Sequence, residues 1–127
     1  MKLYPSLGLI MATYIEAKPF VTDIAWQHTT DAPFPVYRTE DVTLVVSGMG
    51  KTNAAAACAW LCTSVGPACV VNLGAAGANR DDLPLGSIHH IRAVVELDRR
   101  HFKTGEPFCH RPDVLEGFAT ARLATRE

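Results

Sequence analysis

The run Leu7-Gly8-Leu9-Ile10-Met11-Ala12 is apolar throughout, and polar Thr13 followed by Glu16-Ala17-Lys18-Pro19 closes it. An unbroken apolar run of this length predicts a strand buried on both faces, ending at a loop or a helix start. Phe34-Pro35-Val36-Tyr37-Arg38 predicts a short strand. After Asp41, Val42-Thr43-Leu44-Val45-Val46 predicts a stronger one, because β-branched side chains suit a pleated surface, and it runs straight into Ser47-Gly48-Met49-Gly50. From Lys51 to Ser64 the alanine run, with Trp60 and Leu61, predicts a helix that meets no breaker before Gly66-Pro67. Residues 68–73 predict another buried strand, ended by a second loop of small residues, Gly74-Ala75-Ala76-Gly77-Ala78. Asp81-Asp82-Leu83-Pro84-Leu85-Gly86 reads as a turn and residues 87–95 as a further strand before a polar stretch through His110. Residues 115–125 fit either a frayed helix or a strand.

Strand, tight loop, helix, strand, tight loop is the order of an α/β fold: a mainly parallel central sheet with flanking helices. A helix crossing between two parallel strands brings both loops to the same carboxyl edge of the sheet, where open α/β folds bind ligands. Both glycine loops are therefore expected to face one site.

Composition narrows the setting. The chain has 127 residues, 48% hydrophobic and 20% charged, a balance that supports a packed core and excludes disorder. That length has room for a single domain, assigned to residues 1–127, and for no second one. Twelve Lys and Arg against thirteen Asp and Glu leave a formal charge of -1, which offers no footprint for a polyanion, so nucleic acid is not an expected partner. Residues 7–14 after Lys2 mimic a signal peptide, but Pro5 interrupts its start, and Glu16 and Lys18 stand where a small-residue cleavage site belongs. A cytoplasmic protein with an intact N-terminus is expected. The longest other apolar run, residues 54–62, is far below the roughly twenty residues that span a bilayer. Cys58, Cys62, Cys69 and Cys109 show no paired short spacing, so buried free thiols are expected rather than disulfides or zinc ligands.

Ser47-Gly48-Met49-Gly50-Lys51-Thr52 invites a phosphate-loop reading, which needs a glycine five positions before Gly50. That position is Val45. What survives is that Gly48 and Gly50 let backbone approach a ligand at a helix start, or serve only as strand-to-helix turn chemistry. Gly74-Ala75-Ala76-Gly77 admits the same two readings, close approach by a flat ring or sugar, or tight packing of strand on helix. Glu16 is the carboxylate just beyond the first buried strand. It is placed to hold a water or sugar hydroxyl at the same edge, or merely to sit in the first turn of a helix. His89 and His90, adjacent in a predicted strand, point to opposite faces and cannot both bind one metal. His28, His101 and His110 fall in polar stretches expected to be loops, and Asp98-Arg99-Arg100-His101 reads as a solvated turn. No metal site or cofactor is expected.

Three ordered segments, Leu9-Ile10-Met11-Ala12-Thr13 leading to Glu16-Ala17, Val46-Ser47-Gly48-Met49-Gly50-Lys51 with Asn53-Ala54-Ala55-Ala56, and Val71-Asn72-Leu73-Gly74-Ala75-Ala76-Gly77, resemble the purine and uridine nucleoside phosphorylase superfamily. Within it the chain looks most like the methylthioadenosine/S-adenosylhomocysteine nucleosidase and futalosine hydrolase branch, and Leu85-Gly86-Ser87-Ile88 resembles the family's glycine turn into its next strand. The resemblance implies that Glu16 holds the attacking water or the ribose. It implies that Ala12 and Thr13 line the base and sugar pocket, that Met49 lies against the ribose with Gly50 also binding substrate, and that Ala75, Ala76 and Gly77 wall the sugar and base. The reaction implied is cleavage of an N-glycosidic bond through an oxocarbenium-like sugar, whose developing positive charge a nearby carboxylate would stabilise.

Two departures shape the expectation. The loop Asn72-Leu73-Gly74-Ala75-Ala76-Gly77 lacks the arginine and hydroxyl with which the phosphorylases hold phosphate, so water is the expected acceptor. The family's purine-contacting glutamate and leaving-group acid lie in a second half that residues 1–127 do not include, so this chain resembles the N-terminal half of the family domain and alone is expected to lack the leaving-group acid. The expected partners are a small-molecule nucleoside and further copies of the chain in a homo-oligomer. Two other readings stay open: a non-catalytic remnant acting as a nucleoside-binding or assembly module, and a nucleotide-binding regulatory domain resting on Gly50-Lys51-Thr52.

Overall fold

The computed structural model describes residues 6–126, so Lys2 and Pro5, on which the leader reading turns, lie outside the described residues. The chain divides into two compact units, Met1–Ala76 and Gly77–Glu127. The first contains β1 (Leu7–Met11), α1 (Tyr14–Val21), β2 (Gln27–Thr30), β3 (Val36–Arg38), β4 (Val42–Val46), α2 (Lys51–Ser64) and β5 (Cys69–Asn72). Its sheet runs in the order β2-β3-β4-β1-β5. β1 pairs in parallel with β4 on one side and β5 on the other, whereas β2 and β3 pair antiparallel. The central sheet of the expected α/β fold is present, with its parallel character confined to the three strands that crossovers connect. The short loops around β3 are compatible only with antiparallel neighbours.

The unbroken apolar run at the start is explained by a helix on each face. Leu9 and Met11 pack with Leu44, Val46 and Ala17 of α1, while Ile10 packs with Val36, Val45 and Ala57 and Leu61 of α2. Alternate residues of one strand thus feed two separate cores, the period-two geometry of a strand with both faces covered. α2 lies so close to β1 that a Cβ on Gly8 would sit 2.6 Å from Leu61 Cδ2 and 3.0 Å from Pro67 Cγ. A larger residue at Gly8 would have to displace the Leu61 side chain under the helix.

Several expectations are corrected. The strand at residues 68–73 forms as β5, but it is an edge strand, and Cys69 and Asn72 at its ends are exposed. The thiols are not buried: Cys62, Cys69 and Cys109 are exposed and Cys58 is half-buried, because α2 turns only Ala57 and Leu61 fully inward and β5 closes the sheet. Burial, and contact with Cys62, raise the Cys58 thiol above its ordinary pKa. β2 was not anticipated, since Gln27-His28-Thr29-Thr30 is an exposed edge strand with no apolar alternation to mark it. Among the described residues no helix is long and apolar enough to cross a membrane.

The second unit is a three-stranded sheet of β6 (His90–Arg100), β7 (Pro107–His110) and β8 (Thr120–Thr125), ordered β7-β6-β8. β6 and β7 are antiparallel and β6 and β8 parallel, which settles residues 120–125 as strand. β6 starts after His89 and runs on through Asp98-Arg99-Arg100, so that stretch is strand, not turn. His28 and His110 likewise lie in strands, β2 and β7. Charge continues β6 past its apolar part because Glu96, buried in the sheet, is met by His110 Nε2 at 2.8 Å and Arg99 Nε at 3.3 Å. Arg99 also lies 4.0 Å over the Phe108 ring, a cation–π contact that offsets its cost in the strand.

The close approach at Gly8 gives a direct test. Gly8→Ala is expected to destabilise the protein by about 1–3 kcal/mol through overpacking, and Leu61→Ala by about 2–5 kcal/mol through a cavity. In the double variant the part of the first cost that comes from Leu61 disappears, while the Pro67 ring still lies 3.0 Å from the new methyl group. Urea unfolding of the four proteins measures the coupling.

Candidate active site

The carboxyl ends of β4, β1 and β5 share one edge of the first unit's sheet. They are tied there by Ser47 N–H donating to the Met11 carbonyl at 2.9 Å and Leu73 N–H donating to the Ile10 carbonyl at 3.0 Å. The β1–α1 junction and both small-residue loops therefore meet at this edge, as the crossover geometry requires. The loop after β4 turns into α2 at Gly50, whose φ of 98° is a left-handed value that glycine adopts without strain. Asn53 reaches back from the helix, donating from Nδ2 to the Met49 carbonyl at 2.7 Å, and leaves the Met49 side chain 75% exposed at the edge. Val45 is fully buried inside β4, so the loop is too short by its own strand to wrap a triphosphate.

Glu16 is the group that joins these parts. α1 begins with a complete capping box: Glu16 N–H donates to Thr13 Oγ1 at 3.3 Å, and Thr13 N–H donates to Glu16 Oε2 at 3.1 Å. Thr13 Oγ1–H also donates to Oε2, at 3.0 Å. The other oxygen, Oε1, accepts the Ala75 N–H at 3.0 Å across 59 positions of sequence. One carboxylate thus spans from the first turn of α1 to the loop after β5. The Ala75 N–H is the largest influence holding it below the ordinary glutamate pKa, with the Thr13 hydroxyl and N–H adding to it and partial burial opposing. At neutral pH Glu16 is ionised, a hydrogen-bond acceptor and a fixed negative charge.

Gly74 has a specific reason to be small. A Cβ there would lie 3.1 Å from Glu16 Oε1, pressing on the oxygen that Ala75 holds. Close approach is therefore used first by the protein's own carboxylate. Ala12 and Thr13 are half-buried at the end of β1, and Ala75 and Ala76 are exposed on the loop after β5. Gly77, also exposed, opens the second unit. The structure thus brings Ala12, Thr13, Glu16, Met49, Gly50, Ala75 and Ala76 to the carboxyl edge of one sheet. The spacing of Thr13-Tyr14-Ile15-Glu16 is itself the signature of this capping box, more specific than a carboxylate in a helix's first turn. The Glu16–Ala75 bond and the Asn53 brace had no signal in the sequence. Among the described residues no cluster of three or more His, Cys, Asp and Glu side chains could hold a metal ion.

A family model described as the phosphorylase superfamily matches residues 7–126. A relative from Marinomonas sp. (strain MWYL1), 5'-methylthioadenosine/S-adenosylhomocysteine nucleosidase, is 37% identical over 97 residues, which are 72% of this chain and 42% of that protein. The chain therefore spans less than half the length of this relative. The fold is similar to the crystal structure of the Neisseria meningitidis 5'-methylthioadenosine/S-adenosylhomocysteine nucleosidase in complex with methylthio-immucillin-A, with a TM-score of 0.76 at 22% identity over 97% of this chain and 64% of the other. It is also similar to the Streptococcus pyogenes S-adenosylhomocysteine nucleosidase bound to 5-methylthiotubericidin, with a TM-score of 0.72 at 22% identity over 88% of this chain and 53% of the other. The family model covers nearly the whole of the chain, and the chain belongs to the phosphorylase superfamily.

Proposed function

We propose that this protein takes part in cleaving the N-glycosidic bond of a purine-type nucleoside, with water as the acceptor. The observation that carries the reading is the ionised Glu16 carboxylate, fixed at the carboxyl edge of the sheet between the β1–α1 junction and the loop after β5. As the C–N bond breaks, the sugar gains oxocarbenium character, and a preorganised negative charge beside it stabilises that charge more than the neutral ground state. The same carboxylate orients a water for attack on the sugar. Ala12, Thr13, Met49, Gly50, Ala75 and Ala76 are assigned to the walls against base and ribose, their small or flexible side chains leaving space for a flat ring. The nucleosidase relative supports the reading, as does residues 72–77 having neither arginine nor hydroxyl for a phosphate. The chain is assigned to the N-terminal half of one nucleosidase domain, in a cytoplasmic homo-oligomer.

Three outcomes test this reading. In thermal denaturation an adenine nucleoside at a hundredfold excess over its Kd stabilises the protein by about 2.7 kcal/mol, more than ATP with magnesium does; stronger protection by the nucleotide overturns the assignment. Cleavage by the protein carrying this sequence yields free base and free sugar without phosphate, and Glu16→Gln lowers kcat by about a hundredfold; release of a sugar 1-phosphate on adding phosphate overturns the choice of acceptor. The ionised state has its own signature. Because folding lowers the Glu16 pKa from about 4.5, the stabilisation is fully present above that value and is lost as pH falls through the folded-state pKa. Urea midpoints of the parent protein therefore drop more steeply with acidification than those of Glu16→Gln.

A further inference from the structure

The two oxygens of Glu16 are not equivalent. A carboxylate offers about four acceptor positions, two on each oxygen. Oε2 receives two donors, Thr13 N–H at 3.1 Å and Thr13 Oγ1–H at 3.0 Å, and is filled. Among the described residues Oε1 receives only the Ala75 N–H, at 3.0 Å, which leaves one acceptor position. The Thr13 hydroxyl is itself spent: its proton goes to Oε2 and its oxygen accepts the Glu16 N–H at 3.3 Å, so it has no second proton to offer a ligand.

We propose that Thr13 is a positioning residue: by donating twice to Oε2 it locks the Glu16 side chain and leaves Oε1 as the oxygen that takes the proton-bearing group of a ligand, a water or a sugar hydroxyl. The inference rests on the reading of Glu16 given above for its functional consequence, but the lock itself is a property of the folded chain. A helix cap does not require it. Capping needs an acceptor on residue 13 for the helix N–H groups, whereas the lock needs a donor from residue 13 to the carboxylate. Serine supplies both. Glycine keeps the backbone N–H and substitutes for threonine at a cap with little loss, but it has no hydroxyl to give Oε2.

All the partners that hold Glu16 are neutral donors, so removing the hydroxyl changes no charge beside it. In Thr13→Gly the Glu16 carboxyl, followed by carbon-13 NMR titration of the protein, is expected to titrate at higher pH than in the parent, and its side-chain couplings average over rotamers. Thr13→Ser is expected to restore both the parent titration and the single rotamer. In nucleoside cleavage by the whole protein that carries this sequence, Thr13→Gly lowers kcat about tenfold, the loss of one charge-assisted hydrogen bond's worth of orientation, with KM little changed, and Thr13→Ser recovers most of the lost kcat. An unmoved Glu16 titration and an unchanged rotamer in Thr13→Gly would overturn the lock. A moved titration with no nucleoside cleavage by the whole protein that carries this sequence would leave Thr13 holding Glu16 and refute the nucleosidase reading instead.

Discussion

Every feature of the candidate site hangs from β1, a strand with no free face and no free edge. It lies between β4 and β5 in the sheet, and α1 and α2 cover it from opposite sides. Met11 is 1% exposed and Ile10 3%, so small displacements of this strand would be felt in two cores at once, and close-packed interiors resist such shifts. That immobility is what a reaction centre requires of its scaffold. The backbone bonds from Ser47 and Leu73 onto Met11 and Ile10 carry the fixed position of β1 outward to the loops on both sides.

Glu16 shows how one side chain can serve the fold and the chemistry together. A capping carboxylate needs one oxygen, turned back to the start of its own helix. Here the second oxygen is engaged too, by a backbone N–H from the far side of the sheet's edge, and Gly74 is small where a methyl group would crowd that oxygen. The helix start therefore orients the charge, and the loop after β5 fixes where it lies. Substituting Glu16 removes a cap and an inter-loop tie as well as a reacting group, so stability and turnover must be measured separately in any variant.

Much of the first unit was legible because its signals are local. The run at residues 7–12 identified a doubly covered strand, β-branched Val42-Thr43-Leu44-Val45-Val46 gave β4, and the alanine-rich stretch gave α2 from Lys51 to Ser64. The failures share a cause as well. β2 is polar because it is an exposed edge, and β6 runs on through charged residues because partners from β7 and its own strand meet Glu96 and Arg99. Cysteine burial was misjudged because composition around a residue does not say which way a helix face turns. At the site, Glu16 was found from its place after a strand. Its tie to Ala75 was not, since a backbone donor carries no side-chain signature.

The tie between Glu16 and Ala75 also makes the site depend on a long-range closure. Its two ends are separated by 59 positions, and closing so long a loop is entropically unfavourable until the elements between have formed. β5 pairs with β1 across the α2 crossover, so the N–H that holds Oε1 depends on the strand pairing of the first unit that is most distant in sequence. Without that pairing Glu16 is an ordinary helix-capping glutamate. The centre is therefore complete only when β5 is in place, and whatever loosens this edge strand releases Oε1.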